Sequence, residues 1–158
     1  MKTMFSILLL ASVVGVTGIA QGQQSAKTWK IGVLVSTSRQ LNAARDQGLR
    51  QGLRELGYEE GKNIVFDYRF ADGKTDRLEQ LAKELVADKP DVIVVGGTAV
   101  AVAAKMATNT IPIVVAGAGD LVEAGLIKSY MYPGGNVTGV GRMSADFFGT
   151  RMNLIKDI

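Results

Sequence analysis

Three short turns carry the side chains that could bind a ligand, and each turn follows an apolar run. These are Ser36-Thr37-Ser38, Gly96-Gly97-Thr98 and Gly117-Ala118-Gly119-Asp120. Hydroxyl groups both donate and accept hydrogen bonds, glycines leave backbone N–H groups accessible to an anion, and Asp120 could pair with an amine. This chemistry suits a small zwitterionic or carboxylate-bearing solute. The candidate ligand-binding residues are Ser36, Thr37, Gly96, Gly97, Thr98, Gly119 and Asp120.

Each of these residues also has a purely structural explanation. Thr98 would be a good N-cap for a helix that begins just behind it. Asp120 stands three residues before Glu123, as in a capping box, so it could serve as a cap, as a ligand contact, or as both. The glycines could serve only to make tight turns.

The composition excludes several kinds of reactive site. The 158 residues include no Cys and no His, which excludes thiol nucleophiles, Ser-His-Asp triads and ordinary zinc sites. Gly96-Gly97 lacks the other glycines of a dinucleotide fingerprint, and no glycine loop continues into GK[ST]. A receiver domain would need acidic residues around the first strand, where this chain has Lys30 and Ser36-Thr37-Ser38. We therefore expect no metal, no cofactor and no catalysis.

The net charge of +3 comes from scattered single charges, with no basic run interleaved with aromatic residues. Such a pattern gives little reason to expect nucleic-acid binding. An enzyme that uses Asp120 as a base remains a formal alternative, but no second acid converges with it in the sequence.

The segment from Asp91 to Asp120 predicts how two of the turns are positioned. It is typical of a strand over Val92–Val95, a helix over Ala99–Ala107 and a strand over Ile113–Ala116. A βαβ unit of this kind places both strands in parallel, so both turns leave the carboxyl ends of strands. Open α/β sheets bind their ligands at that edge.

The rest of the chain continues the alternation of strands and helices. We expect strands over Trp29–Ser36, Asn63–Phe70 and Val137–Val140, and helices over Gln40–Leu56, Asp76–Asp88, Leu121–Met131 and from Ser144 onward. The Asn63–Phe70 strand alternates and should lie near a sheet edge, and Thr75 should cap the following helix. The predicted fold is a doubly wound, mostly parallel five-stranded α/β sheet with helices on both faces. The first helix should bury Leu41, Ala44, Gly48, Leu49, Gly52, Leu53 and Leu56.

The N-terminus resembles a secretory signal peptide. Lys2 is followed by an apolar run from Met4 to Val16, and Gly18-Ile19-Ala20 fits a cleavage site, so residues 1–20 should be removed. A membrane anchor is the alternative, but the run is short for a span of about 20 residues. We expect a disordered leader over 21–28 and one α/β domain over 29–158. The mature protein should be secreted or periplasmic, and soluble.

Two motifs connect the chain to a known family. The run from Gly52 to Tyr68 and the PGGNVTG sequence at Pro133–Gly139 resemble the substrate-binding proteins of ABC transporters, in the group with tryptophan- and tyrosine-binding members. The resemblance covers nearly all of the mature chain. It implies a type I periplasmic-binding-protein fold, in which two lobes close over a solute by a hinge. The same three turns would supply the contacts of the first lobe, although Ala99 and Leu121 stand where the family usually has proline.

The resemblance also implies a longer protein. Family chains continue into a second lobe of similar size, so we expect this sequence to be an N-terminal lobe and a fragment. The expected function is that of an exported, monomeric solute-binding component that works with an ABC permease in the membrane. The alternatives are a stand-alone α/β enzyme or ligand-sensing domain, and a non-functional truncated fragment.

Overall fold

The computed structural model describes residues 27–142, which form one five-stranded sheet with three α-helices in the described part. The elements are β1 Trp29–Val35, α1 Arg39–Glu55, β2 Ile64–Phe70, a single 3₁₀ turn Thr75–Arg77, α2 Leu78–Ala87, β3 Val92–Val95, α3 Thr98–Ala107, β4 Ile113–Ala118 and β5 Val137–Gly141.

All neighbouring strands pair in parallel, in the order β2-β1-β3-β4-β5. The chain winds outward from β1 to β2 and then crosses back to add β3, β4 and β5. The direction of winding therefore changes between β1 and β3, which is the switch point where doubly wound sheets open a crevice. The predicted doubly wound sheet is confirmed, and β2 lies at its edge as expected.

Helices cover both faces of the sheet, also as predicted. Helices α2 and α3 cover one face, and the core there includes Leu34, Leu85 and Ile93 at 1% exposure or less. Gly32 permits this packing, because a Cβ at that position would lie 3.1 Å from the Leu85 side chain. On the other face, α1 packs through Leu49 against a smaller cluster. The core is therefore concentrated on the α2–α3 side.

The predicted helix over Leu121–Met131 is wrong. The chain forms consecutive turns there, with the N–H of Leu126 donating to the carbonyl of Leu121 at 2.9 Å. Gly125 has a φ of 65°, which ends right-handed helical winding after one turn. Leu121, Leu126 and Ile127 are buried in the core, so the turns place their apolar side chains without a regular helix.

The predicted buried stripe of α1 is right at Leu49 and Leu53 and wrong at its other five positions. Leu41 and Leu56 are each 75% exposed, whereas Asn42 is buried and Leu49 and Leu53 are half-buried. The inward face runs through residues 42, 46, 49 and 53, so it shares Leu49 and Leu53 with the predicted stripe and replaces the rest with polar residues. Sequence hydrophobicity misplaced this face because polar residues occupy part of it.

Two helix starts differ in detail from the expectation. Thr75 begins the 3₁₀ turn and makes no side-chain cap, and α2 begins at Leu78. Gly97 is the N-cap of α3, so Thr98 is the first helical residue rather than the cap.

The predicted signal peptide, most of the leader and the helix from Ser144 lie outside the described residues. Lys27, at the end of the predicted leader, pairs with Asp91 at 2.6 Å.

Candidate functional site

A cavity of about 1010 Å³ lies along the carboxyl ends of β1, β3, β4 and β5. It spans the switch point between β1 and β3, where the fold is expected to bind ligands. Six of the seven candidate residues line this cavity, and the seventh, Asp120, does not. Those six are Ser36, Thr37, Gly96, Gly97, Thr98 and Gly119. Their role in binding stays a prediction, but the fold brings them to one place.

Two hydrogen bonds join the turns that follow β3 and β4. The N–H of Gly97 donates to the carbonyl of Gly117 at 2.7 Å. The hydroxyl of Thr98 accepts from the N–H of Gly119 at 3.1 Å. A threonine hydroxyl that accepts one bond can still donate its own hydrogen to another group. The two turns therefore form a single connected floor.

The N-terminus of α3 supplies backbone donors to this floor. Gly97 has a φ of 92°, a left-handed conformation that favours glycine, and its carbonyl accepts the first helical bond, from Ala101 at 3.1 Å. The N–H groups of residues 98–100 precede that ladder, so helix geometry leaves them without an intrahelical acceptor. Such donors, together with the helix dipole, favour an anionic group such as a carboxylate.

The turn after β1 presents a buried hydroxyl to the same cavity. The carbonyl of Ser36 accepts from the N–H of Gly73 at 2.7 Å, and the Ser38 hydroxyl caps α1. The Oγ1 atom of Thr37 is buried and has no hydrogen-bond partner among the described residues. A buried polar atom without a partner costs about 1–3 kcal/mol. Thr37 is therefore a group that a ligand could satisfy.

Asp120 acts as a local cap. Its Oδ1 atom accepts hydrogen bonds from the N–H groups of Val122 at 2.8 Å and Glu123 at 3.2 Å. The next N–H, that of Leu121, donates to the hydroxyl of Tyr130 at 3.2 Å. The capping role that the sequence suggested is thus present in the structure, and ligand contact by Asp120 stays a prediction.

Sequence reasoning missed four polar residues that line the cavity, Asn42, Arg45, Asp46 and Arg142. Asn42, Arg45 and Asp46 lie on the same face of α1 as Leu49, because the four residues follow the i, i+3, i+4, i+7 spacing of a helix. Asn42 is only 7% exposed. On this helix face, polar residues at the start of α1 are followed by apolar ones. That change along one face was the sequence signal that could have indicated a polar cavity beside the start of the helix.

The carboxylate of Asp46 is occupied by neighbours. Its Oδ2 atom accepts from Nε of Arg50 at 2.8 Å, and its Oδ1 accepts from the hydroxyl of Tyr68. Burial, followed by this hydrogen bond, raises the pKa of Tyr68 above its usual range, so the hydroxyl stays protonated and donates. Burial alone would lower the pKa of Arg50, but hydrogen bonds to Asp46 and Glu60 outweigh it and raise that pKa.

The groups that reach the cavity are suited to holding a solute. They comprise hydroxyls, one amide, backbone N–H groups, two guanidinium groups and one carboxylate that already has partners. Within residues 27–142, no group of three acidic side chains is gathered that could hold a metal ion. No helix of that same part is long and apolar enough to cross a membrane.

The sequence of residues 30–158 matches the family described as ABC transporter substrate binding protein. The chain belongs to this family. The match covers most of the chain and confirms the resemblance carried by its motifs. Members of the family bind small-molecule solutes and work with ABC transporters.

Two similar proteins are described by the amino acid that they bind. The Tyrosine-binding protein of Clostridioides difficile strain R20291 is 34% identical over 146 residues, which cover 84% of this chain and 42% of the relative. An ABC domain from Streptococcus pneumoniae, solved in complex with L-Trp, is 33% identical with a TM-score of 0.67, covering 73% of this chain and 39% of that one.

Two further solved structures share the fold. A conserved domain protein from Vibrio cholerae O1 biovar El Tor is 42% identical with a TM-score of 0.71, over 84% of this chain and 44% of that one. The ligand-free, open structure of a substrate binding protein with adhesive properties from Clostridium difficile is 30% identical, with a TM-score of 0.70, over 81% and 43%. The chain thus spans less than half the length of these relatives.

Proposed function

We propose that this chain forms one wall of the solute-binding cleft in an exported component of an ABC uptake transporter. The wall is the row of turns after β1, β3 and β4. It binds a small organic solute, such as an amino acid, and carries out no reaction on it. A second lobe supplies the opposite wall, and closure of the two walls is a hinge motion.

The observation that supports this most strongly is the cavity at the switch point of the sheet. Its lining combines the N–H groups at the start of α3 with the buried hydroxyl of Thr37, which has no hydrogen-bond partner among the described residues. Donors of this kind suit the carboxylate that every amino acid carries. The tyrosine-binding and L-Trp-bound relatives support amino acids as the class of solute.

The partner of the assembled protein is an ABC permease in the membrane, and the protein acts as a monomer outside the cytoplasm. The apolar run near the N-terminus supports export, since it has the length and the following small residues of a signal peptide.

Saturation-transfer NMR on the purified protein tests the proposal, because it detects weak binding. A panel of the amino acids should produce transfer signals, and sucrose, which lacks a carboxylate, should produce none. Substitution Thr37→Val should weaken the signals of bound amino acids. Equal signals from sucrose, or no signal from any amino acid, would count against this function.

A further inference from the structure

The cavity is lined by more positively charged than negatively charged side chains. Arg45, Asp46 and Arg142 are the charged residues in its lining. The carboxylate of Asp46 already accepts hydrogen bonds from Arg50 and Tyr68, and Arg50 is shared with Glu60. Neither Arg45 nor Arg142 forms an ion pair with a carboxylate of the described residues. Among the described residues, the lining therefore holds two arginines without a carboxylate partner and one carboxylate, that of Asp46.

Arg142 is positioned by its backbone at one end of the cavity. It follows edge strand β5, and its N–H donates to the carbonyl of Ala118 at 3.1 Å, beside the turn that contains Gly119. Arg45 belongs to α1, which packs against β1 and β2. Three inter-strand spacings separate β1 from β5, roughly 14 Å. The two arginines thus enter the lining from opposite ends, with the backbone donors of α3 between them.

A buried amide adds to the same lining. Asn42 is 7% exposed and lines the cavity, and its amide can both donate and accept hydrogen bonds. Together with the Thr37 hydroxyl, which has no partner among the described residues, it makes this part of the cavity polar.

We propose that Arg142, with Arg45, makes this cleft select solutes of net negative charge over neutral zwitterions. The class comprises dicarboxylates and amino acids with an acidic side chain. The one carboxylate in the described lining, that of Asp46, already accepts from Arg50 and Tyr68, and Asp120 lies outside the lining. The described lining also contains no aromatic side chain. The inference rests on the proposed function and narrows its solute.

L-Glutamate and L-glutamine provide a matched pair of probes, since they share a shape and differ by one charge. Titration of the purified protein, followed by ¹H–¹⁵N NMR, should give a dissociation constant about tenfold lower for glutamate, because charge-assisted hydrogen bonds are the stronger ones. Glutarate should bind, whereas cadaverine, with two amines and no carboxylate, should not. The preference for glutamate should shrink between low and high salt.

Variants separate the arginines from the rest of the wall. Arg142→Gln should reduce the preference, and the double variant with Arg45→Gln should abolish it. Arg54→Gln is the control, because Arg54 is exposed on the same helix as Arg45 but does not line this cavity. Retained signal dispersion in the NMR spectrum shows that each variant is folded.

The outcomes distinguish the two proposals. If glutamine and glutamate bind equally at the three turns, selection by charge is overturned while solute binding stands. If the double variant still prefers glutamate over glutamine, the proposal is also overturned, because groups other than the two arginines then cause the preference. If no amino acid binds at all, both this inference and the proposed function fail.

Discussion

The hydroxyl of Thr98 accepts a hydrogen bond from the N–H of Gly119 at 3.1 Å, joining the turns after β3 and β4. The approach is close enough that a Cβ on Gly119 would lie 3.2 Å from that oxygen. This side chain therefore adds to the backbone bond between Gly97 and Gly117 in holding two parts of the candidate site together, and glycine at 119 permits the contact.

Substitution Thr98→Val should lower the free energy of unfolding by about 1 kcal/mol, because the N–H of Gly119 loses its acceptor. Thr98→Ser keeps the hydroxyl and should cost less. Urea denaturation of the two variants measures the difference. Equal stability of Thr98→Val and the unchanged protein would show that the bond contributes nothing.

At Thr37, loss of the hydroxyl should weaken ligand binding without lowering the stability of the protein. Because its Oγ1 is buried without a partner, Thr37→Val should leave the free energy of unfolding unchanged or raise it by up to about 1 kcal/mol. Binding of amino acids should weaken in the same variant, and Thr37→Ser should retain it. Calorimetric melting and NMR titration measure the two effects. A Thr37→Val protein that is clearly less stable would mean that the hydroxyl has a structural partner.

Gly139 is required for the pairing of β4 with β5. Its φ is 149°, and an added Cβ would collide with the carbonyl oxygen of Val115 and lie 2.6 Å from the nitrogen of that residue. Gly139→Ala should therefore destabilise the protein by about 3 kcal/mol. Gly135→Ala is the matched control, since nothing lies within 4 Å of the position that its methyl group would occupy. Thermal unfolding measures both, and similar midpoints for the two variants would contradict the strand register.

Tyr68 should make stability sensitive to alkaline pH. Burial and then the hydrogen bond to Asp46 raise its pKa above the value near 10 of an unfolded tyrosine. The folded state therefore holds this proton more firmly than the unfolded chain does. The stabilisation is complete below about pH 10 and is lost as the pH rises further. Tyr68→Phe should lose less stability above about pH 10 than the unchanged protein, as measured by urea denaturation; an identical loss would exclude the effect.

The strands and the positions of the turns could be predicted because their signals are local. Apolar runs such as Val92–Val95 mark buried strands, and glycines such as Gly97 mark the turns that follow them. Parallel pairing then brings the turns to one edge without further information. The predicted helix over 121–131 failed because tertiary burial of Leu121 and Leu126 does not require helical winding, and Gly125 interrupts it.

The remaining site residues could not be predicted from local pattern. Arg142 lines the cavity because β5 adds at the edge beside β4, which is a consequence of strand order. Asn42 lines it because α1 turns residues 42 and 46 inward on the same face as Leu49 and Leu53. Sequence hydrophobicity alone favours Leu41 on the inside, where the structure places it 75% exposed.

The central claim is that this chain is one wall of a two-walled cleft. A micromolar ligand is bound by about 8 kcal/mol, so a wall that makes half of the contacts should retain about 4 kcal/mol, which corresponds to millimolar affinity. A ¹H–¹⁵N NMR titration of the purified protein with amino acids measures both affinity and position. We predict millimolar binding with shifts at Thr37, Gly97, Thr98 and Gly119. Micromolar binding, or shifts confined to other surfaces, would contradict the account.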